Sequence, residues 1–558
     1  MSGLYRFPLF STPLRHVEIL KYLHHFRVVE RWWRSGGEKF EMLKTRKQQS
    51  MSTANRVIKN TGYLYAKMGI TMFVSLYTTR LILNSLGASD FGIFNIVGGA
   101  IAMLGFLNAA MASATQRFMS YAEGEGIKSK QKNIFNVSFV LHILISLLVG
   151  IALLVAGYFF FNGILNIPPD RIFAAQVVYG SLIISTMFTV MTVPYDAVMN
   201  AHENMFYYAI VGIIESFLKL AVAFACVYTT SDKLIVYGIL MACIPLITLT
   251  IMRVYCHKHY EECIIAPKKY FDKGLMKEMT SFAGWNFITA FSSIISQNGL
   301  SIVLNYYWGT ILNAAQGIAN QISGQLMVFS NTMLKALNPI IAKSKGKGND
   351  DLMIKATLSG CKYSFIMLLF FTLPFILETP YILNLWLKKI PEWAIIFCQL
   401  QLLRSLIEQL TISLGNAVAA QGKIKGLSIC KSILSIQPII FTTVFFHFHF
   451  PPYTMYLIWI LFGGILSGGI ALFYTKKQCN LPYMKYLYMV LYPCLSLSII
   501  TTGISIVPQL FLQESFNRLL TTILLTSISI PLYSWIFILK KEEKQIVKNI
   551  FTNYKLKK

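Results

Sequence analysis

Apolar residues along the chain come in blocks of about 20, the length that crosses a ~30 Å hydrocarbon core as a helix, and short polar loops divide them. Fourteen such blocks cover 62–84, 91–111, 136–159, 172–195, 205–228, 234–253, 282–305, 312–340, 362–386, 393–418, 427–446, 453–474, 486–506 and 517–539. Inside lipid every backbone N–H and C=O must be satisfied within its own segment, which selects helices. The pattern predicts an all-α membrane protein of about 14 transmembrane helices.

The pattern also repeats, at a shift of about 225 residues. The second block opens Gly92-Ile93-Phe94-Asn95 with Gly99 following, and the eighth opens Gly317-Ile318-Ala319-Asn320 with Gly324 following. A basic loop with a Gly-x-Gly comes after each, Gly124 to Gly126 and Gly346 to Gly348. Spans one to six therefore correspond to seven to twelve. Six is even, so the halves share orientation, the parallel type of transporter repeat with a site expected between them. The expected organisation is a basic extension (1–50), a six-helix lobe (51–255), an inter-lobe loop (256–281), a second six-helix lobe (282–475), two added helices (476–539) and a basic tail (540–558).

Charge orients the bundle, because Lys- and Arg-rich short loops stay cytoplasmic. The loops at 128–132, 253–277, 343–355, 423–425 and 476–485, with Arg117 and the tail after Leu539, hold 26 of these residues. The opposite loops hold five: Arg171, Lys233, Lys388, Lys389 and Arg518. Both termini are expected in the cytoplasm. Residues 1–50 read as an over-extended start or a disordered basic tail ahead of Met51-Ser52-Thr53-Ala54, with a surface amphipathic helix around 16–34 as the alternative, Trp32 and Trp33 at the headgroups. They show no signal-peptide pattern.

Composition agrees: 55% of the residues are hydrophobic and 13% charged, against roughly 25% charged in soluble domains. The net charge of +26 lies in inter-span loops and marks topology rather than a nucleic-acid partner. Nine scattered cysteines form no CxxC or disulfide framework. Cys256, His257, His259 and Cys263 match no zinc spacing, and His447 and His449 read as loop residues, so no metal or cofactor is expected.

An ionisable side chain inside a span is expensive unless it meets water or a partner. Lys335, Lys362 and Lys431 lie near cytoplasmic ends, where snorkelling is the expectation. Glu215 with Lys219, and Arg404 with Glu408, lie near mid-span at i, i+4, which stacks each pair on one helix face. Structural neutralisation and a cavity role are both open for these pairs. The first span carries Lys67, Thr71, Ser75 and Thr78 on one stripe, with Arg80 nearly opposite. The seventh lines up Asn286, Thr289, Ser293, Gln297 and Ser301, and the eighth Asn313, Gln316, Asn320, Ser323, Asn331 and Lys335. So many amides predict a water-filled cavity between the repeats, with interhelical hydrogen bonding as the alternative. Lys67, Arg80, Lys219, Lys335, Lys362, Arg404 and Lys431 outnumber the in-span carboxylates Glu215, Glu378 and Glu408. A cationic interior suits a diphosphate, and amide and hydroxyl faces suit sugar hydroxyls.

The block Tyr77-Thr78-Thr79-Arg80-Leu81-Ile82-Leu83-Asn84-Ser85-Leu86-Gly87-Ala88-Ser89-Asp90-Phe91-Gly92-Ile93-Phe94 resembles the polysaccharide-biosynthesis flippases of the O-antigen type. These belong to the superfamily that also holds the multidrug and toxin (MATE) extruders and the lipid II flippase. The resemblance implies a MATE-like pair of lobes around a cavity open alternately to each side of a bacterial inner membrane. It implies an undecaprenyl-diphosphate-linked oligosaccharide as passenger (an O-antigen, capsule or exopolysaccharide unit), with polysaccharide-assembly enzymes as partners, and it places Arg80 in the cavity. The expected cavity residues are Lys67, Arg80, Glu215, Lys219, Gln297, Gln316, Asn320, Arg404 and Glu408. The alternative within the superfamily is a proton- or sodium-coupled drug extruder, which calls for unpaired membrane carboxylates. A membrane-embedded glycosyltransferase would need a sizeable acidic extracytoplasmic loop, and the longest there is about a dozen residues. No GxxxxGK[ST] loop is present, so no covalent or ATP-driven step is expected of this chain alone.

Overall fold

A computed structural model describes residues 15–102, 105–164, 167–387, 389–541 and 543–545, with side chains described for most of these from Arg56 onward. The chain divides into two units, one of residues 57–539 and one of 1–56 with 540–558. Of the second unit the backbone of 15–56 is helical, while the side chains of Trp32 and Trp33 and most of the basic tail lie outside the described residues, as does Lys388 of the first unit.

Within 57–539 every expected apolar block falls in helical structure. Among the described residues, eleven helices are long and apolar enough to cross a bilayer, or twelve if the pair Arg56–Gly87 and Ser89–Gly99, bent by 119°, counts as one span. Gly105–Glu125 continues the second expected span, and the 37-residue Thr310–Gly346 is the eighth, long enough but diluted by its amides. The remaining spans used below are Pro169–Ala201 (fourth), Met205–Tyr228 (fifth), Lys233–His259 (sixth), Lys273–Trp308 (seventh), Asp350–Leu377 (ninth), Ala394–Ala420 (tenth), Lys425–His447 (eleventh), Thr454–Cys479 (twelfth) and Phe516–Ile538 (fourteenth).

The repeat has a backbone signature. Spans one and two join at Gly87 (φ 78°), and spans seven and eight join at Gly309 (φ 80°). A side chain with a Cβ is disfavoured at that φ, so glycine sets the same sharp reversal in both halves. The block 77–94 acquires a structural role at the same corner. Asp90 accepts from Arg171 Nε at 2.9 Å, and Arg171 also donates to Asp232 at 2.6 Å, so one guanidinium pins three loops of the N-terminal half. At the matching end of the second half, Arg518 of the fourteenth span donates to Glu378 Oε2 at 2.9 Å, and Thr522 donates to Oε1 at 3.1 Å. Glu378, expected as an unpaired span carboxylate, is instead a fully buried, paired group closing the ninth span.

Candidate functional site

The halves meet at their basic ends, where spans two and eight cross on glycine. A Cβ on Gly124 would sit 2.1 Å from the Lys343 carbonyl oxygen, and one on Gly346 would sit 2.0 Å from that of Tyr121. Each glycine meets the carbonyl about one turn before its counterpart, so the crossing is self-matching. Charged groups surround it. Lys343 Nζ lies 3.5 Å from Glu123 and 3.4 Å from Glu203, and Asn60 donates to the Glu203 carbonyl at 2.9 Å. Arg117 of span two donates to the carbonyls of Ala419 and Ala420 at 3.1 and 3.0 Å, using acceptors left over at the end of the tenth span.

Behind this contact His202 bridges to Glu262, which is 1% exposed. Burial alone would raise the Glu262 carboxyl, but the bonds from His202 and its own backbone N–H, with Lys128 nearby, hold it below the ordinary carboxylate range. Tyr65 donates to the Phe329 carbonyl at 2.8 Å just above. The side-chain hydrogen bonds of Arg117, Lys343 and Tyr65 thus join the halves toward this end.

Directly above the crossing, two lysines from different halves converge on one ring. Lys335 Nζ lies 3.6 Å from the Tyr208 ring centroid and Lys67 Nζ lies 4.3 Å from it. Asp196 is within electrostatic reach of both, and its Oδ1 is buried with no hydrogen-bond partner among the described residues. A cavity of about 120 Å³ opens here inside the N-terminal half, lined by Lys67, Thr192, Asp196, Tyr208 and Glu215 with Pro245 and Thr248. Gly212 makes room for it, since a Cβ there would strike the Lys67 amine at 2.3 Å. Tyr208, Gly212, Glu215 and Lys219 follow one another along one face of the fifth span, so the polar track climbs roughly 16 Å away from the crossing.

Glu215 and Lys219 form the expected pair at 2.7 Å, each about two-fifths exposed (41% and 43%). Arg80 is exposed on the first span, as is Gln297 on the seventh. Arg404 and Glu408 also pair, but in a different setting. Arg404 is 12% exposed, donates to Gln401 Oε1 at 3.1 Å and stacks 4.0 Å from the Trp459 ring of the twelfth span. The eighth-span amides likewise turn inward. Gln316 is 2% exposed, and lower on the same face Ser323 bonds Ser405 at 2.9 Å and Ser330 donates to Gln409 at 2.7 Å. Interhelical bonding thus accounts for the lower stripe, while Gln316 Nε2 and Asn320 Oδ1 are buried without a partner among the described residues.

Two residues matter here in ways the sequence pattern does not predict. Asp196 lies beyond the apolar block that ends at 195, yet the helix runs through Pro194 to Ala201 and carries it inside. Lys335 does not snorkel, because Tyr208 of the other half receives it. Lys362 does not snorkel either and is 5% exposed.

No protein-family model matches the chain, and no curated protein matches it. Solved structures do. An outward-facing multidrug resistance MATE family transporter of the MOP superfamily aligns with a TM-score of 0.66 at 14% identity, over 77% of this chain and 98% of its own. The chain has the MATE transporter fold. A MATE in the bent conformation also gives 0.66 at 14% identity, over 77% of this chain and 97% of its own. A MOP superfamily transporter from Pyrococcus furiosus Vc1 (DSM3638), described as having a binding pocket of reverse polarity that suggests a different function, gives 0.63 at 12% identity over 77% and 96%. The MATE fold, the glycine corners and the apolar helices together describe a multi-pass membrane protein built from two related halves.

Proposed function

We propose that this chain is a flippase that moves a polyprenyl-diphosphate-linked oligosaccharide across the bacterial inner membrane by alternating access. The observation that carries the reading is the convergence of Lys67 and Lys335, one from each half, on the Tyr208 ring that floors the polar cavity. An anionic head group held there gains charge-assisted hydrogen bonds from both halves at once. Its binding therefore depends on how the halves are arranged, as coupling of binding to a conformational change requires. The exposed Glu215–Lys219 pair and Arg80 supply further polar contacts above this floor, and the polyprenyl tail stays in lipid. Both termini are on the cytoplasmic side in this reading, which puts the glycine crossing at the cytoplasmic face.

A second reading, an ion-coupled extruder, draws support from Asp196, a span carboxylate with an unpartnered oxygen. In the flippase reading the same carboxylate is the place where a coupling proton or sodium ion competes with Lys67 and Lys335.

The test is complementation in a bacterium lacking its own flippase, following on which leaflet the lipid-linked oligosaccharide accumulates. Surface polysaccharide should return with the wild type and fail with Lys67→Ala or Lys335→Ala at equal membrane abundance. Dye resistance without restored polysaccharide would replace the flippase reading with the extruder.

A further inference from the structure

A second, larger cavity of about 700 Å³ lies at the basic end, on the seam between span two of one half and span seven of the other. Four cations face it: Arg117, Lys277, Lys423 and Lys425, against one carboxylate, Glu278. Among the described residues no ion pair engages Lys277, Lys423 or Lys425. The eleventh span also begins here with Ile424 as an N-cap that offers no side-chain acceptor, so its first backbone N–H groups add positive potential.

The chemistry changes along the cavity. On span seven it is lined from Gly274 to Trp285, a length of roughly 16 Å at the helical rise. Lys277 stands at the helix end, whereas Phe282 and Trp285 stand deeper, with Phe118 opposite. Lys425 Nζ sits 5.4 Å from the Trp285 ring, at the boundary between the two zones. A site that is cationic at the membrane surface and aromatic toward the hydrocarbon matches a ligand with a phosphate head and an apolar body.

The equivalent position on the opposite seam is filled by protein, since Glu203 and Lys343 pair there and Asn60 caps the Glu203 carbonyl. We infer that the seam cavity is a binding site for the phosphate headgroup of an anionic membrane lipid, which supplies from the bilayer the negative charge that Glu203 supplies on the other side. The inference concerns a site apart from the cargo path and stands whether or not the flippase reading does.

The test uses the full-length protein in detergent, titrated with phosphatidylglycerol and read by native mass spectrometry and thermal shift. The wild type should retain one phosphatidylglycerol tightly, and the triple variant Lys277→Gln, Lys423→Gln, Lys425→Gln should bind it on the order of a hundredfold more weakly. A control triple, Lys258→Gln, Lys347→Gln, Lys355→Gln, removes equal charge from exposed residues and should match the wild type. Glu278→Gln, a change that threatens no packing, should tighten binding severalfold. Equal weakening in both triples, or no weakening in the first, overturns the site. Free pyrophosphate binding as tightly as phosphatidylglycerol overturns the lipid assignment in favour of a soluble phosphate.

Discussion

The two mid-span ion pairs share one spacing and differ in everything around it. Glu215–Lys219 is about two-fifths exposed and borders a cavity, whereas Arg404–Glu408 is wedged against Gln401 and Trp459. An i, i+4 interval places two side chains on one helix face, but what that face meets is settled by the neighbouring helices. The first half groups Lys67, Asp196 and Glu215 around Tyr208 and a cavity; the second half sets Arg404 against Trp459 and joins its helices through Ser323, Ser330 and Gln409. One spacing thus borders a cavity in the first half and packs between helices in the second.

That contrast is open to measurement, beginning with the most deeply buried pair. Arg518→Met strands the fully buried Glu378 and should cost about 3–5 kcal/mol, read as a large fall in thermal midpoint. Arg404→Met should cost somewhat less, about 2–4 kcal/mol, because Glu408 is 27% exposed and Lys431 is within electrostatic reach. Adding Glu408→Leu should then recover most of that loss, since a packed apolar pair needs no desolvated charge; no recovery would mean that Arg404–Glu408 is more than a packing element. Lys219→Gln should shift stability by no more than about 1 kcal/mol while cutting transport, and an equal stability loss at both pairs would erase the distinction. Smallest of all, the Lys219→Gln shift should fade in high salt, which screens exposed charges far more than buried ones.

Much of this is legible in the chain itself. The fourteen apolar blocks, the repeat and both ion pairs follow from local periodicity, and periodicity is what a helix preserves on folding. The misses are all tertiary. Asp196 is hidden because Pro194 and the polar residues after it look like the end of a span, although the helix continues to Ala201. Lys335 stands where a long side chain normally reaches for water, and nothing near it in sequence reveals that Tyr208, more than a hundred residues away, meets it instead. The eighth-span amides do share one face, but Ser323 and Ser330 answer to Ser405 and Gln409 rather than to a chamber. Glu378 looks unpaired in the sequence because Arg518 belongs to the helices outside the repeat.

The glycine crossing has a mechanical consequence. Where Gly124 and Gly346 touch, main chain rests on main chain with no side chain interposed, so the halves come nearer there than any residue with a Cβ would allow. A methyl at either position acts as a shim, pushing the contact apart and prising Lys343 from Glu123 and Glu203. Two absent side chains thus set how near the halves come.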